Sequence, residues 1–189
     1  MPDEVTARTR LLDAAARLFY ADGIAATGIN AIIAAAGVAR MSLYNNFTSK
    51  DELVLAYIEA RHEEWLTLYT SRAEDVADPK QSVLTVFDAY IDHAELGYDH
   101  GFRGCGLLNA AAELPVGSPG RDAVRRHKEQ VEQILFDHLS ALTSPSEARA
   151  MAEHCSFLLE GAMARAGLES SSHRLEHAKK LAARMIGAL

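Results

Sequence analysis

The sequence predicts an all-α chain of about nine helices. Three observations predict it. Alanine is abundant and runs of β-branched residues are few, a composition that favours helix. Only five prolines occur in 189 residues, and none lies between Asp3 and Asp78 or after Pro145. Apolar positions recur at spacings of three and four, in stretches bounded by capping residues or glycines.

The elements follow in order. Residues 5–21 carry the stripe Leu11, Leu12, Ala15, Leu18 and Phe19, and Gly23 follows as a stop. Thr27 starts a short helix with Ile29, Ile32 and Ile33, ended by Gly37. A third short helix covers 39–46. Ser49-Lys50-Asp51-Glu52 is a capping box that opens a long helix to about Arg72. Asp78 caps the next, with Pro79 at its first position, and it runs from Lys80 to about Leu96, ending near Gly97. Gly97, Gly101, Gly104 and Gly106 mark a loop or a kinked helix. A short helix over 107–114 stops before Pro115. Ser118-Pro119 opens a helix to about Leu142. Ser144-Pro145-Ser146-Glu147 opens another to about Gly167, and Ser172 caps the last.

The hydrophobic fraction of 49% against 24% charged residues places the chain among globular proteins. No apolar h-region follows Met1 and no run of about 18 apolar residues exists, so a cytoplasmic protein without membrane contact is expected. Cys105 and Cys155 form no CxxC, which predicts two free thiols. The net charge of −7 excludes a uniformly basic, nucleic-acid-wrapping coat. The charge is uneven, however. Residues 1–50 hold five basic and four acidic side chains, a net of +1, which leaves −8 for the remainder.

Two short helices joined at Gly37 point to a helix-turn-helix. Gly37 permits the sharp turn, and Ile32 and Val38 fix the angle between the helices. The second helix presents polar groups: Arg40, Ser42, Tyr44, Asn45 and Asn46. Asn pairs with adenine and Arg with guanine in the major groove. Lys50 opens the next helix, where its ammonium and free backbone amides both suit a phosphate. Arg8 and Arg10 read as a solvated face.

Residues 10–53 closely resemble the N-terminal domain of the TetR family of bacterial transcriptional regulators. The resemblance runs through Leu12, Ala15, Leu18-Phe19, Gly23, Thr27, Ile29, Ile32, Ala36-Gly37-Val38, Leu43-Tyr44, Phe47, Ser49-Lys50 and Leu53. It implies a helix-turn-helix DNA-binding domain over 1–49 and a helical effector-binding and dimerisation domain over 50–189. It further implies a sequence-specific regulator, by default a repressor released from a palindromic operator by a small molecule. The implied DNA contacts are Thr27, Arg40, Met41, Ser42, Tyr44, Asn45, Asn46 and Lys50, with Thr27 also capping the second helix. Three positions depart from the usual pattern. Met41 stands for a glycine, Ala39 for a serine or threonine that would cap the recognition helix, and Asn46 for a histidine.

The body supplies the remaining candidates. An effector pocket is expected among Trp65, Tyr69, Tyr90, His93, Phe102, Cys105, Asn109, Glu113, His127 and Phe157, an apolar and aromatic set with a few polar groups. A homodimer seam is expected on the last two helices, from Met151, Cys155, Leu158, Leu159 and Ala162 on one and Leu175, Ala178, Ala182 and Met185 on the other. No enzyme is expected. A di-iron bundle needs two Glu-x-x-His motifs. The chain has one, Glu59 to His62, and neither a GxSxG nor a P-loop motif. No cofactor or metal is expected either, since His173 and His177 form the single i,i+4 histidine pair and lack a third ligand nearby.

Overall fold

The computed structural model describes residues 6–96 and 101–189. Those residues form nine helices and no strand: α1 Ala7–Asp22, α2 Ile29–Ala36, α3 Arg40–Asn46, α4 Lys50–Ala73, α5 Pro79–Glu95, α6 Gly106–Glu113, α7 Pro119–Leu139, α8 Pro145–Glu169 and α9 His173–Gly187. The stop expected at Gly97 lies outside the described residues.

Capping chemistry sets most of the boundaries. Ser49 Oγ accepts the Glu52 amide at 3.1 Å, and the Glu52 carboxylate reaches back to the Thr48 amide at 2.7 Å. The Thr48 hydroxyl, together with that amide, holds the Glu52 carboxyl below the usual carboxylate range. Asp78 accepts from the Gln81 amide ahead of Pro79, and Ser144 accepts from the Glu147 amide ahead of Pro145. The Ser118 hydroxyl accepts the Arg121 amide at 3.4 Å.

Four expected ends differ. Thr27 does not cap α2. Its hydroxyl points back, donating to the Gly23 carbonyl at 2.7 Å, and Gly28 holds the cap position without a side-chain bond. Ser172 precedes α9 but makes no cap bond, because its hydroxyl donates to Glu95 at 2.9 Å. α7 ends at Leu139, where the chain tightens into i→i−3 bonds, Ala141 to His138 and Leu142 to Leu139. α8 passes Gly167 and ends at Ser170, a left-handed residue with φ 48°.

The chain divides into two compact units. The first comprises residues 1–61 and 106–124, the second 62–105 and 125–189. α6 and the first turns of α4 therefore group with the N-terminal helices, unlike a cut after residue 49. In the first unit, α1 packs on α2, α3 and α6 around buried Leu11, Ala15, Phe19, Ile32, Leu43, Phe47 and Leu53. The Phe19 and Tyr57 rings meet edge to face at 5.5 Å. In the second, α9 packs on α5 and α8 over Val83, Phe87, Leu135, Ala152, Leu159, Leu175 and Ala182.

Candidate nucleic-acid interface and the buried cluster of the second unit

The turn between α2 and α3 is built on Gly37. It sits at φ 60°, ψ 40°, and its amide reaches back to the Ala34 and Ile33 carbonyls to end α2. Ile32, Leu43 and Phe47 are buried beneath the pair, which fixes their crossing. α3 starts at Ala39 without a side-chain cap, as its sequence predicts. The core side of this short helix is thus committed, and the opposite side faces outward.

That outward side carries most of the expected contacts. Met41 is 66% exposed and Tyr44 45%, and Arg40 and Asn45 are exposed beside them. The Arg40 guanidinium lies 5.9 Å from the centre of the Tyr44 ring. Ser42, Asn46 and Lys50 are half-buried. Asn46 Nδ2 donates to the Ser42 carbonyl at 2.7 Å, and Lys50 Nζ donates to the Ile24 carbonyl at 2.6 Å. Thr27 is buried and spends its hydroxyl inside the first unit, so its side chain is not on this surface.

Arg8 and Arg10 are exposed, as expected, and each also braces the motif. Arg10 Nη2 donates to the Gly37 carbonyl at 2.9 Å, and the Arg8 guanidinium lies 4.6 Å from the centre of the Phe47 ring. Their partners lie 27 and 39 positions away, so no local pattern announces them.

The second unit gathers seven of the expected effector residues. Trp65 stacks on Tyr69 at 5.7 Å and meets Tyr90 and His127 edge-on, each at 5.5 Å. His93 meets Phe102 at 6.4 Å, and Cys105 lies 3.6 Å from Lys128 Nζ. Asn109, Glu113 and Phe157 are not in this cluster. The first two ride on α6 in the first unit, where α6 packs on α1, and Phe157 is 64% exposed on α8. His62, Lys128, His138 and Glu160 join it unforeseen. His62 Nδ1 and His127 Nδ1 are 2.9 Å apart, Tyr69 Oη and His138 Nε2 are 2.7 Å apart, and Lys128 pairs with Glu160 at 2.8 Å. Each pairing joins two helices, so neither sequence segment alone shows it.

Of the expected dimer residues, Cys155, Leu159, Leu175, Ala178 and Ala182 are buried within one chain. Packing among α5, α8 and α9 accounts for them. Met151, Leu158, Ala162 and Met185 are partly exposed, and the most exposed apolar side chains of α8 are Phe157 and Leu168, the latter at 84%.

Burial pushes the His127 imidazole down to about 2, with Lys128, His62 and His93 adding repulsion. Its ring is neutral when folded and takes a proton on unfolding below pH 6.5. The unfolded state then binds more protons, so stability falls with pH by about 1.4 kcal/mol per unit below 6.5. Burial also lowers His138. Urea unfolding from pH 7 to 5 is expected to show this loss. His127→Phe is expected to flatten it; an equal slope in that variant rejects His127 as its source.

Residues 11–57 match the family described as bacterial regulatory proteins, tetR family. The regulator TtgR of Pseudomonas putida is 36% identical over 89 residues. That stretch is 44% of this chain and 42% of TtgR, so the match covers less than half of either. SCO4454, a TetR-family transcriptional regulator from Streptomyces coelicolor, superposes with a TM-score of 0.83 at 32% identity, over 95% of both chains. A TetR transcriptional regulator from Chloroflexus aurantiacus superposes at 0.81 with 25% identity, over 96% of this chain and 94% of that one. With its exposed recognition helix and a whole-chain relative above 30% identity, the protein belongs to the TetR family of DNA-binding transcriptional regulators.

Proposed function

We propose that the protein is a homodimeric repressor that leaves a palindromic operator when a small molecule binds the second unit. The observation that carries the reading is the outward face of α3, with Arg40, Met41, Tyr44 and Asn45 free of the core that Leu43 and Phe47 fill. One short helix reads only a few base pairs, so a two-fold pair reading an inverted repeat is the economical arrangement. Phe157 and Leu168, with the partly exposed Leu158, Ala162 and Met185, offer apolar surface for a second copy.

The aromatic and polar cluster around Trp65 supports the effector half of the reading, since ligand sites combine apolar walls with a few placed polar groups. Linkage supplies the mechanism. An effector that favours the DNA-incompetent arrangement of the dimer weakens operator binding by no more than its differential affinity. The chain has no catalytic role in this scheme and takes no cofactor. Among the described residues no helix is long and apolar enough to cross a membrane, and no group of three or more His, Cys, Asp or Glu is placed to hold a metal.

Selection of bound fragments from a random DNA pool tests the reading. The expected product is an inverted repeat with half-sites about one helical turn apart. Affinity for it is expected to fall by about 0.9 log units per phosphate contact for each decade of salt. Recovery of unrelated sequences, or a flat salt profile, rejects it.

A further inference from the structure

The side of α3 turned away from the core carries hydrogen-bonding groups at Arg40, Tyr44 and Asn45, and an apolar side chain at Met41. A thioether is at best a weak acceptor. Met41 is nevertheless more exposed than Tyr44, 66% against 45%. The core beneath is complete without it, since Leu43 and Phe47 are buried there. A single exposed apolar residue is ordinary on a protein surface. Here its position gives it a consequence.

α3 has seven residues, and Met41 is the second of them, in the first turn. In a helix-turn-helix the N-terminal residues of the second helix meet the base edges in the major groove. Spacing by four puts Arg40 and Tyr44 in one row and Met41 and Asn45 in the next. In the first row the Arg40 guanidinium lies 5.9 Å from the centre of the Tyr44 ring. In the second, Met41 comes ahead of Asn45, whose amide has the donors and the acceptor that an adenine edge requires. The neighbouring Asn46 is engaged within the helix, donating to the Ser42 carbonyl at 2.7 Å. Met41 therefore places apolar surface at the reading end of α3.

Base edges in the major groove present hydrogen-bond donors and acceptors, with the C5 methyl of thymine as the apolar feature among them. Methionine set against guanine O6 and N7, or against the amino groups of adenine and cytosine, would strip their water and return no hydrogen bond. Against a thymine methyl, both surfaces are apolar and both gain by leaving water. The unbranched thioether chain can adapt its rotamer to the approach of the helix. We infer that Met41 is a specificity-determining residue that selects thymine by packing on its C5 methyl group. The inference rests on the reading that the outward side of α3 meets the bases, and adds which base one position of it demands.

Operator DNA recovered by selection with the full-length protein is resynthesised with deoxyuridine in place of thymine, one symmetric pair of positions at a time. Deoxyuridine pairs like thymine and keeps O4, and lacks only the methyl. One such pair is expected to weaken the complex about fifteenfold, about fourfold for each half-site, as the burial of one methyl group implies. Met41→Leu is expected to keep that loss. In Met41→Gln, of equal length and similar helix propensity, the two DNAs are expected to bind within about twofold of each other. Met41→Ser takes its place if the glutamine variant binds too weakly to measure. A scan in which the unaltered protein is indifferent to every thymine methyl overturns the inference. So does a loss of equal size in the polar variants, which would assign the methyl to another side chain or to the stiffness of the DNA. Either result leaves the inverted repeat, and with it the repressor reading, intact. Recovery of unrelated sequences instead rejects both.

Discussion

Gly167→Ala is expected to lower the melting temperature by about 6–12 °C, a loss of about 3 kcal/mol. A Cβ at this position would lie 2.5 Å from the Gly104 nitrogen, 2.6 Å from its Cα and 2.7 Å from the Arg103 carbonyl carbon. All three are backbone atoms, so no rotamer change relieves the clash. Either α8 moves away from the 101–105 strip or the strip moves away from α8. Gly104 is itself in a special conformation. Its φ is +84°, in the left-handed region that favours glycine. Gly161, on the same helix, supplies the control. Nothing in its own chain lies within 4 Å of an added Cβ, and alanine in a helix interior is favoured over glycine by about 0.5–1 kcal/mol. Urea or thermal melts of the two variants should move in opposite directions. Equal small shifts would mean that the Gly104–Gly167 approach is not a constraint.

The same residue shows why the fold was legible and the packing was not. Glycine after a periodic stretch is a stop signal, and at Gly37 it is one, left-handed and closing α2. At Gly167 the identical signal means close approach between segments 63 residues apart, and the helix continues to Glu169. Signals confined to a few neighbours were readable: the Ser49, Asp78 and Ser144 caps, the missing cap at Ala39, the buried faces of α2 and α3. Signals that need a partner from another helix were not. Thr27 and Ser172 have the right chemistry to cap, yet each hydroxyl bonds elsewhere. Arg10, Lys128 and Glu160 look like ordinary surface charges until the fold places Gly37, Cys105 and Lys128 beside them. The alternating apolar stripe of α8 and α9 fits a seam between chains or a seam within one. Burial of Cys155, Leu159, Leu175 and Ala182 shows the second, and periodicity alone carries no information on the choice.

Glu113→Gln is expected to weaken operator binding about tenfold while the protein remains folded, an effect of about 1.4 kcal/mol. The residue stands at the end of α6, far in sequence from α2 and α3, and its carboxylate is spent on the turn that leads into them. Oε1 accepts from the Ile24 amide at 3.0 Å and Oε2 from the Ala25 amide at 2.7 Å, both in the turn between α1 and α2. The Ile24 carbonyl in turn accepts from Lys50 Nζ at 2.6 Å, and the Gly23 carbonyl accepts from Thr27. This turn therefore sets where α2 begins and ties down Lys50, the expected phosphate contact. Bonds from backbone amides to a carboxylate are charge-assisted, worth about 1.5–3 kcal/mol each. Glutamine retains one acceptor oxygen but turns an NH2 toward the other amide, so one N–H faces a donor. Glu113→Asp should not rescue, because its arm is shorter by one methylene.

Coupling to Gly23 separates this account from general destabilisation. Gly23 has φ +91°, and a Cβ there would lie 2.8 Å from Glu113 Oε1. Gly23→Ala in the unaltered protein thus meets both backbone strain and the carboxylate. In a Glu113→Ala background only the strain remains, so the two losses in stability and operator affinity should fall short of additive, by about 0.5–3 kcal/mol for groups in direct contact. Strict additivity, or full operator affinity in Glu113→Gln, would show that the carboxylate merely caps exposed amides that water serves equally well.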